Sequence, residues 1–402
     1  MVVPKLRFQE FDGDWPSIPL KNFVSFRKGK GISKADIQED GVFECIRYGE
    51  LYTTYGQVIT TIKSRTNISP SESILSQSGD VIIPASGETQ IDIATASCVA
   101  KENVILGGDL NILSHNESGE WLAYYLSSAK KLEIAQLAQG NSVVHLYSSQ
   151  LKELKVNRPS KEEQTKIATF LSAVDEKISQ LSQKLHLLGQ YKQGMMQKLF
   201  SQQLRFKADD GNEFREWSNK TIGDVANIKR GASPRPINDS KWFDDSSSIG
   251  WVRISDVSKS KKYLLQTEQY LSTLGIQKSR LVPKGNLIMS ICATIGKPIY
   301  TGFDVCIHDG FVVFSELQAI HEYAYYYLEY IEKNWYQYGQ AGTQVNLNSD
   351  IVSNEAFPFP CLEEQTKIAN FLSAIDQKID VVSEQLEQAK LWKKGLLQQM
   401  FV

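Results

Sequence analysis

The sequence lacks the cysteine pattern and the long apolar runs that define several large protein classes. Its five cysteines are odd in number and widely separated, and no C-x-x-C pair occurs, so neither a disulfide framework nor a structural zinc site is predicted. No apolar run approaches the ~20 residues that cross a bilayer, and the first residues lack the apolar segment of a signal peptide. A cytoplasmic location is therefore expected.

Recognised catalytic motifs are also missing. The string closest to a P-loop, ICATIGKP around Gly296 and Lys297, lacks the first glycine and the hydroxyl residue of that motif. Neither H-E-x-x-H, nor G-x-S-x-G, nor an Asn-Pro-Pro-aromatic tetrapeptide is present, and the histidines are dispersed. We expect a binding protein without catalytic residues and without a metal site.

Positive charge is scarce for a protein that would bind nucleic acid. The chain carries 44 Lys and Arg against 46 Asp and Glu, a net charge of −2, whereas contact with phosphates usually requires a basic excess. Basic residues do cluster at two places, which are Arg27, Lys28, Lys30 and Lys34 in the first half and Lys229, Arg230 and Arg235 in the second. Such clusters are often solvated turns, but their recurrence at corresponding positions favours a functional role.

The most informative feature is an internal repeat. The peptide EEQTKIATFLSAVD begins at residue 162 and returns as EEQTKIANFLSAID at residue 363, with twelve of the fourteen positions identical. Leu6-Arg7-Phe8 likewise returns as Leu204-Arg205-Phe206, and Trp15 as Trp217. The chain therefore contains one unit twice. We assign residues 1–158 and 204–359 to two globular domains, and residues 159–203 and 360–402 to two long helices.

Both helices carry an apolar heptad pattern. The first seam is Ile167, Leu171, Val174, Ile178, Leu181, Leu185 and Leu188, and the second is Ile368, Leu372, Ile375, Ile379, Val382, Leu386 and Ala389. This spacing of four and three is typical of a coiled coil, so we expect the two helices to pack on each other, antiparallel. An alternative is that they dimerise with another copy of the chain. At 1.5 Å per residue, ~40 residues span roughly 60 Å.

Two details of the helices are predicted from the residues near their ends. A strict heptad would place Lys192 and Lys393 in the seam, and we prefer a local stutter that brings in Tyr191 and Trp392 instead, because a buried lysine is costly. Ser160 and Glu163 have capping-box spacing at the start of the first helix. Cys361 replaces the serine in the second copy, so that helix should be capped less well.

The two domains are predicted to be α/β units of mixed topology. Strand-like strings include GDVIIPASGE, ENVILGG, GWVRISDV, GNLIMSICATIGKPIY and CIHDGFVVF. Each domain then has an apolar helix, EWLAYYLSSAKKLEIAQLA or HEYAYYYLEYIEKNWYQYG, and a closing strand within GNSVVHL or GTQVNL. The tyrosines of the second helix (Tyr323, Tyr325, Tyr326, Tyr327, Tyr330) could stack on bases, but packing against the sheet is the commoner role.

The order of domain, EEQTKIA helix, domain and second EEQTKIA helix resembles the specificity (S) subunit of type I restriction-modification systems over the whole chain. The Leu-Arg-Phe…Trp openings, CIRYGEL at 45–51 and GWVRISDV at 250–257 are similar to that family's target recognition domains. The resemblance implies a pseudo-two-fold fold in which two such domains are separated by two antiparallel coiled-coil helices. It also implies a subunit that recognises a bipartite, gapped target in double-stranded DNA and has no catalytic activity.

The resemblance further implies partners and cofactors. The helices would set the gap and bind two methyltransferase (modification) subunits, which carry S-adenosylmethionine, and restriction subunits would supply ATP- and Mg-dependent translocation and cleavage. For contact with DNA we select Arg47 and Arg253, which lie in comparable strings and could each bind guanine. Candidate phosphate contacts are Lys28, Lys229, Arg230 and Arg235.

Two alternatives remain. The chain could be a DNA-binding protein of the same architecture that acts without partners, or a coiled-coil scaffold whose domains bind protein or sugar. The scaffold does not account for the arginines in matching strings, and co-purification with a methyltransferase would distinguish these possibilities.

Overall fold

The computed structural model describes residues 3–140, 143–338 and 347–401. Contacts divide the chain into two compact units. Unit 1 comprises Met1–Gln183 and Ser383–Val402, and unit 2 comprises Lys184–Val382. Each unit holds one globular domain and parts of both long helices, because a long amphipathic helix buries its apolar face against different neighbours along its length.

Among its described residues, the domain of unit 1 contains twelve strands and five short α-helices. The strands are β1 (Ser17–Pro19), β2 (Val24–Lys28), β3 (Phe43–Ile46), β4 (Val58–Ile59), β5 (Ser64–Thr66), β6 (Asp80–Pro84), β7 (Ser86–Gly87), β8 (Ser97–Val99), β9 (Ile105–Leu106), β10 (Leu110–His115), β11 (Val144–His145) and β12 (Lys155–Asn157). The helices are α1 (Glu50–Thr53), α2 (Gln90–Ile93), α3 (Gly119–Ser128), α4 (Lys131–Leu137) and α5 (Ser148–Glu153). The first long helix, α6, follows at Lys161–Phe200.

The domain of unit 2 contains the next strands and helices. The strands are β13 (Ser218–Thr221), β14 (Asn227–Arg230), β15 (Gly250–Val252), β16 (Tyr263–Leu264), β17 (Gln269–Tyr270), β18 (Arg280–Val282), β19 (Leu287–Ser290), β20 (Pro298–Thr301), β21 (Val305–Ile307), β22 (Phe311–Ser315) and β23 (Ala356–Phe359). The helices are α7 (Ile222–Val225), α8 (Ile254–Lys259), α9 (Thr273–Gln277), α10 (His321–Ile331) and α11 (Ser349–Asn354). The second long helix, α12, spans Leu362–Met400.

The two domains share one sheet plan. A five-stranded sheet has the order β2-β10-β6-β8-β4 in unit 1 and β14-β22-β19-β20-β16 in unit 2. A second sheet has the order β5-β3-β9 in unit 1 and β17-β15-β21-β18 in unit 2. Parallel pairs (β4 with β8, β3 with β9, and their counterparts) occur among antiparallel ones. The predicted mixed α/β topology is confirmed.

The central strands and the domain helices form the cores. The strands β6 and β19 are buried along their whole length, as expected for apolar runs covered on both faces. The helix α3 buries Trp121–Leu126, and α10 buries Tyr323–Leu328. Both predicted domain helices are shorter than expected, since α3 gives way to α4 after Ser128 and α10 gives way to a 3-10 helix at Glu332–Tyr338.

The tyrosines of α10 pack in the core, which confirms packing as their role. Tyr323 and Tyr327 make edge contacts with Phe357, and Tyr325 stacks on Tyr300 with ring centroids 5.4 Å apart. The predicted closing strand of unit 1 is β11, whereas its counterpart in unit 2 falls almost wholly within residues 339–346, outside the described residues.

The long helices pack with opposite ends together in each unit. In unit 1, Ile167 and Leu171 near the start of α6 share a core with Leu396 and Met400 near the end of α12. In unit 2, Leu199 near the end of α6 shares a core with the start of α12, including Ile368, Leu372 and Ile375. Of the other predicted seam residues, Val174, Leu181 and Leu386 are buried, and Ile178, Leu185 and Ile379 are half-buried.

The predicted stutter near the helix ends is wrong. Tyr191 and Trp392 are 52% and 54% exposed, whereas the lysines that the strict heptad places in the seam are largely buried. The side chains of Lys192 and Lys393 are 12% and 17% exposed, and each is paired with an aspartate. Burial of these lysines is tolerated because each is paired with a carboxylate. The heptad pattern of one helix does not show these carboxylates, because they lie on other elements.

The capping prediction at the start of α6 is correct in part. Ser160 Oγ accepts a hydrogen bond from the Glu163 backbone N–H at 3.2 Å, as in a capping box. The Glu163 carboxylate, however, binds Arg7 and Trp15. Among the described residues, no helix is both long enough and apolar enough to cross a membrane.

Candidate nucleic-acid interface

Arg47 and Arg253 occupy equivalent positions in the two domains. Each follows the central strand of the second sheet, β3 or β15, and precedes a short helix, α1 or α8. In both, the arginine backbone N–H donates to a carboxylate three residues later, Glu50 or Asp256, at 2.8 Å. This hydrogen bond fixes the backbone of each arginine, although Arg253 is the N-cap of α8 whereas Arg47 lies two residues before Gly49, the N-cap of α1. The comparable strings CIRYGEL and GWVRISDV thus encode the same turn.

The two guanidinium groups have different surroundings. Nε and Nη2 of Arg253 both donate to Gln269 Oε1, at 3.1 and 3.0 Å, and the group lies 5.9 Å from the centre of the Trp251 ring. Arg47 Nη2 lies 3.5 Å from Glu50 Oε1, and its Nε is buried without a hydrogen-bond partner among the described residues. Each arginine is therefore half-buried and oriented by its own domain, with N–H groups left for another acceptor.

The candidate phosphate contacts lie where β2 and β14 end. Lys28 and Arg230 are the exposed last residues of these strands, and Lys229 is half-buried. A glycine follows in both domains because the chain passes close to the segment after β9 or β21. A Cβ on Gly29 would lie 2.0 Å from the Gly107 carbonyl oxygen, and one on Gly231 would lie 2.0 Å from that of His308. The repeated basic-glycine string therefore has a steric cause.

Asp309 organises the basic residues of unit 2. Its backbone oxygen accepts from Arg230 Nε at 2.7 Å, and its carboxylate accepts from Arg235 Nη2 at 3.0 Å and from Ser233 Oγ at 2.8 Å. Burial alone would raise the pKa of Asp309, but the hydrogen bond from Ser233 and the charge of Arg235 outweigh it and hold the pKa below its ordinary value. The carboxylate is therefore charged at neutral pH.

Two further features near this group were not identified from the sequence. Arg280 Nε donates to the Arg230 carbonyl oxygen, so three arginines converge on one loop. His308 Nδ1 accepts the Gly310 N–H at 2.8 Å, and burial lowers the pKa of the ring. The pairing of β18 with β21 and of β14 with β22 brings residues 230, 280 and 309 together, and no local spacing signals it.

One predicted member of the basic clusters has a structural role. Arg27 forms an ion pair with buried Asp80, and it also donates to Ser114 Oγ and the Leu75 carbonyl oxygen. Its guanidinium therefore connects β2 to the core of the domain. The other members of its cluster, Lys28, Lys30 and Lys34, are exposed.

The EEQTKIA motif joins each domain opening to the start of a long helix. Arg7 Nε and Nη2 donate to the two carboxylate oxygens of Glu163, both at 2.8 Å, and Trp15 Nε1 donates to Glu163 at 3.2 Å. In unit 2, Arg205 and Trp217 make the same contacts with Glu364. The repeated Arg and Trp of the openings therefore recur because they share one buried carboxylate.

The glutamine of the motif has an equally repeated role. Gln164 Oε1 accepts the Ser118 N–H at 3.1 Å and its Nε2 donates to the Pro159 carbonyl oxygen at 3.0 Å. Gln365 makes the equivalent contacts with Ile320 and Pro360, at 2.8 and 2.9 Å. The motif therefore attaches α3 and α10 to the long helices.

Comparison with known proteins gives a consistent result. Residues 12–188 and 215–391 each match the family described as the type I restriction modification DNA specificity domain. The type I restriction enzyme MjaVIII specificity subunit of Methanocaldococcus jannaschii is 23% identical over 418 residues, covering 97% of this chain and 94% of the relative. A second protein of that organism, named for the MjaX specificity subunit, is 28% identical over 297 residues, covering 69% of this chain and 66% of the relative.

Solved structures show the same fold. The crystal structure of a type I restriction-modification S subunit from M. genitalium superposes with a TM-score of 0.64 at 17% identity, covering 100% of this chain and 99% of that chain. A chain from a structural study of complex assembly and conformational transition of the type I R-M system superposes with a TM-score of 0.61 at 18% identity, covering 97% and 98%.

Proposed function

Because this chain belongs to the family of type I restriction-modification specificity subunits, we propose that it recognises a bipartite, gapped DNA target, with each domain contacting one half-site. Specificity subunits are the non-catalytic members of these systems, and their chemistry resides on other subunits. One observation carries the proposal. Both domains have the same order of strands, but the guanidinium groups of Arg47 and Arg253 have different hydrogen-bond partners. A shared frame with distinct polar surfaces suits two different half-sites.

Arg47 and Arg253 are the proposed base-reading residues. Each has its backbone N–H bound to a carboxylate and its guanidinium oriented by the domain, which lowers the entropy cost of contact with a base edge. A bidentate arginine contributes ~1 to 3 kcal/mol of discrimination for guanine. Lys28, Lys229, Arg230 and Arg235 would contact phosphates and hold the domains on the duplex.

The helix pair is proposed to set the gap and to bind the methyltransferase subunits. Tyr191 and Trp392 occupy the same position in the two helices and both are about half exposed. Three residues later stand Gly194 and Gly395, where an added Cβ would meet nothing within 4 Å. Glycine in a helix interior costs ~1 kcal/mol relative to alanine, so a repeated glycine with open space suits close approach by a partner.

The partner subunits would supply the cofactors and the catalytic activities. We propose that two modification subunits bring S-adenosylmethionine and that restriction subunits bring ATP- and Mg-dependent activity. Since the net charge of this chain is −2, part of the phosphate contact would come from these subunits. Weak, salt-sensitive DNA binding by the isolated chain is therefore expected, and tight specific binding without partners would contradict this point.

Methylation mapping tests the proposal. Single-molecule sequencing of DNA from cells with and without the chain should show that one asymmetric, gapped adenine-methylation motif disappears on deletion. If no motif changes, the chain is an orphan DNA-binding protein or a scaffold. Binding of the isolated chain to double-stranded DNA separates those two cases, because only the orphan protein would bind it.

Matched variants then test the base-reading residues. Arg253→Gln should relax one half-site and Arg47→Gln the other, each by ~5- to 150-fold in discrimination, with the opposite half-site unchanged. Arg215→Gln is a suitable control because Arg215 is exposed and belongs to neither turn. If either variant altered both half-sites equally, a role in reading one half-site would be wrong.

A further inference from the structure

Lys192 occupies a seam position of α6 and makes a polar contact inside unit 2. Its Nζ lies 2.8 Å from both Glu329 and Asp376. The other oxygen of Asp376 accepts the Tyr326 hydroxyl at 2.7 Å, and the ammonium lies 5.2 Å from the centre of the Tyr326 ring. Lys192 on α6, Asp376 on α12 and Tyr326 on α10 thus form one Lys–Asp–Tyr contact that joins three helices.

The same contact occurs in unit 1 with the long helices exchanged. Lys393 on α12 lies 2.6 Å from Asp175 on α6. The other oxygen of Asp175 accepts the hydroxyl of Tyr124 on α3 at 2.6 Å, and Lys393 lies 5.5 Å from that ring. Lys393 also donates to Gln57 at 3.1 Å. Two independent regions of the chain therefore contain one arrangement.

These lysines stand where the heptad pattern calls for an apolar residue. Continuing the spacing of Leu171, Ile178 and Leu185 by seven leads to Lys192, and continuing that of Ile379 and Leu386 leads to Lys393. Replacing a buried ion pair by apolar residues of similar size is often neutral or stabilising. Stability therefore does not explain why both copies of the repeat retain lysine here.

The apolar seam does not define a single register. Because its residues recur every seven positions, moving α6 by one heptad along α12 would again place apolar residues opposite apolar residues over much of the seam. Such a slip would separate each lysine from its aspartate and leave buried charges without partners. A single lysine at a seam position is a recognised way of specifying register in coiled coils.

We propose that the two Lys–Asp–Tyr contacts specify the register of the helix pair and thereby maintain one gap length between the half-sites. The second part rests on the proposed function. A slip of seven residues displaces one helix by roughly 10 Å relative to the other, which corresponds to about three base pairs of DNA. The residues responsible for spacing would thus be distinct from those that read bases.

A variant without the two Lys–Asp–Tyr contacts, called the unlocked variant, tests both parts of the proposal. It carries Lys192→Met, Lys393→Met, Asp175→Asn, Asp376→Asn and Glu329→Gln, which remove the buried charges while each new side chain keeps nearly the same size. Asparagine can still accept the tyrosine hydroxyl. If this variant does not fold, the pair Lys393→Met with Asp175→Asn removes the contact from unit 1 alone and is measured in its place.

The control variant carries two substitutions that remove lysines outside the Lys–Asp–Tyr contacts. Lys390→Met deletes an exposed lysine of α12, three positions from Lys393, whose ion pair with Glu387 lies on the surface. Lys184→Met deletes an exposed lysine of α6. Neither substitution should change register or spacing, because surface pairs contribute little to specificity or stability.

The first measurement reports register without DNA. Spin labels at Lys177 and Lys394, which are exposed residues of the two long helices within unit 1, are read by pulsed electron paramagnetic resonance in the full chain. Cys292 and Cys361, the half-buried cysteines, are replaced by serine. We expect one distance for the wild type and the control, and a second population for the unlocked variant. One unchanged distance in the unlocked variant would overturn the proposal.

The second measurement reports spacing in the complex with partner subunits. A DNA library with both native half-sites and gaps of different length is methylated and sequenced. The unlocked variant should raise methylation at non-native gaps, relative to the native gap, by about tenfold or more, because loss of a buried pair changes a register equilibrium by at least that factor. The control should differ from wild type by less than about twofold.

The two measurements separate the possible failures. A second spin-label distance with unchanged gap selectivity would overturn the link between register and spacing. A wild-type complex that methylates no gapped target would contradict the proposed function itself, while the spin-label result would still decide whether the contacts specify register. A shift in half-site sequence in place of gap length would also overturn the proposal.

Discussion

Replacing Glu163 by alanine should strongly destabilise the junction between the opening segment and α6. The Glu163 carboxylate is only 2% exposed and accepts two guanidinium hydrogen bonds from Arg7 and one from the Trp15 indole. Its removal leaves a largely buried positive charge and a buried N–H without their acceptor. We expect a local loss from the buried ion pair of about 3 to 5 kcal/mol.

The value should fall at the low end of that range. Arg7 is 15% exposed, and it keeps hydrogen bonds to the carbonyl oxygens of Asp12 and Gly13, so part of its charge remains solvated. We therefore expect about 3 kcal/mol, a large share of the 5 to 15 kcal/mol that stabilises a typical domain. Glu163→Gln keeps one acceptor oxygen and should cost roughly half as much.

Hydrogen exchange measured by mass spectrometry is the suitable assay because it resolves the two units. A loss of 3 kcal/mol should lower protection in the first turns of α6 by a factor of roughly 150. The equivalent turns of α12, where Glu364 binds Arg205 and Trp217, serve as the internal reference. A change below about 1 kcal/mol at α6 would refute the reasoning, as would an equal change at both sites.

A double-mutant cycle identifies the cause. Arg7→Met removes the charge that Glu163→Ala leaves behind, so the double variant should be less destabilised than the sum of the single variants, by more than about 1 kcal/mol. Simple additivity would indicate that Glu163 acts through packing alone.

Other substitutions should give distinct results. Gly231→Ala should destabilise unit 2 by about 1 to 3 kcal/mol in chemical denaturation, because its Cβ would collide with the His308 carbonyl oxygen. A Cβ at Gly194 or Gly395 would meet open space, so Gly194→Ala and Gly395→Ala should each stabilise the chain by up to about 1 kcal/mol. Titration against the methyltransferase subunit should nevertheless show weaker binding. Unchanged binding would argue against the proposed docking surface. Because burial lowers the pKa of His308 below 6.5, the unfolded chain binds a proton first as the pH falls through 6.5. Stability should then decrease by up to about 1.4 kcal/mol per pH unit until the folded pKa is reached. His308→Asn can still accept the Gly310 N–H and should reduce this slope in denaturation curves between pH 5 and 7.5, while His115, whose pKa burial also lowers, accounts for a remaining slope of the same sign.

The sequence by itself determined the elements that depend on local periodicity. The repeat, the heptads of α6 and α12, the buried strands β6 and β19 and the equivalence of Arg47 and Arg253 are all readable from the order of residues. Apolar spacing reports the face that a helix or strand buries, and that face is the same whatever element covers it. The family could be recognised because these features recur in frame.

Only the tertiary structure decided which polar groups are paired. Lys192 lies in the seam because Glu329 and Asp376, more than a hundred residues away, supply its charge partners. Arg27 belongs to the core and Arg235 to the surface because Asp80 and Asp309 lie on different strands and loops. An ion pair depends on the distance in space between groups that are remote in sequence. The free-energy cost of burying a charge falls by about 3 to 5 kcal/mol when that partner is present.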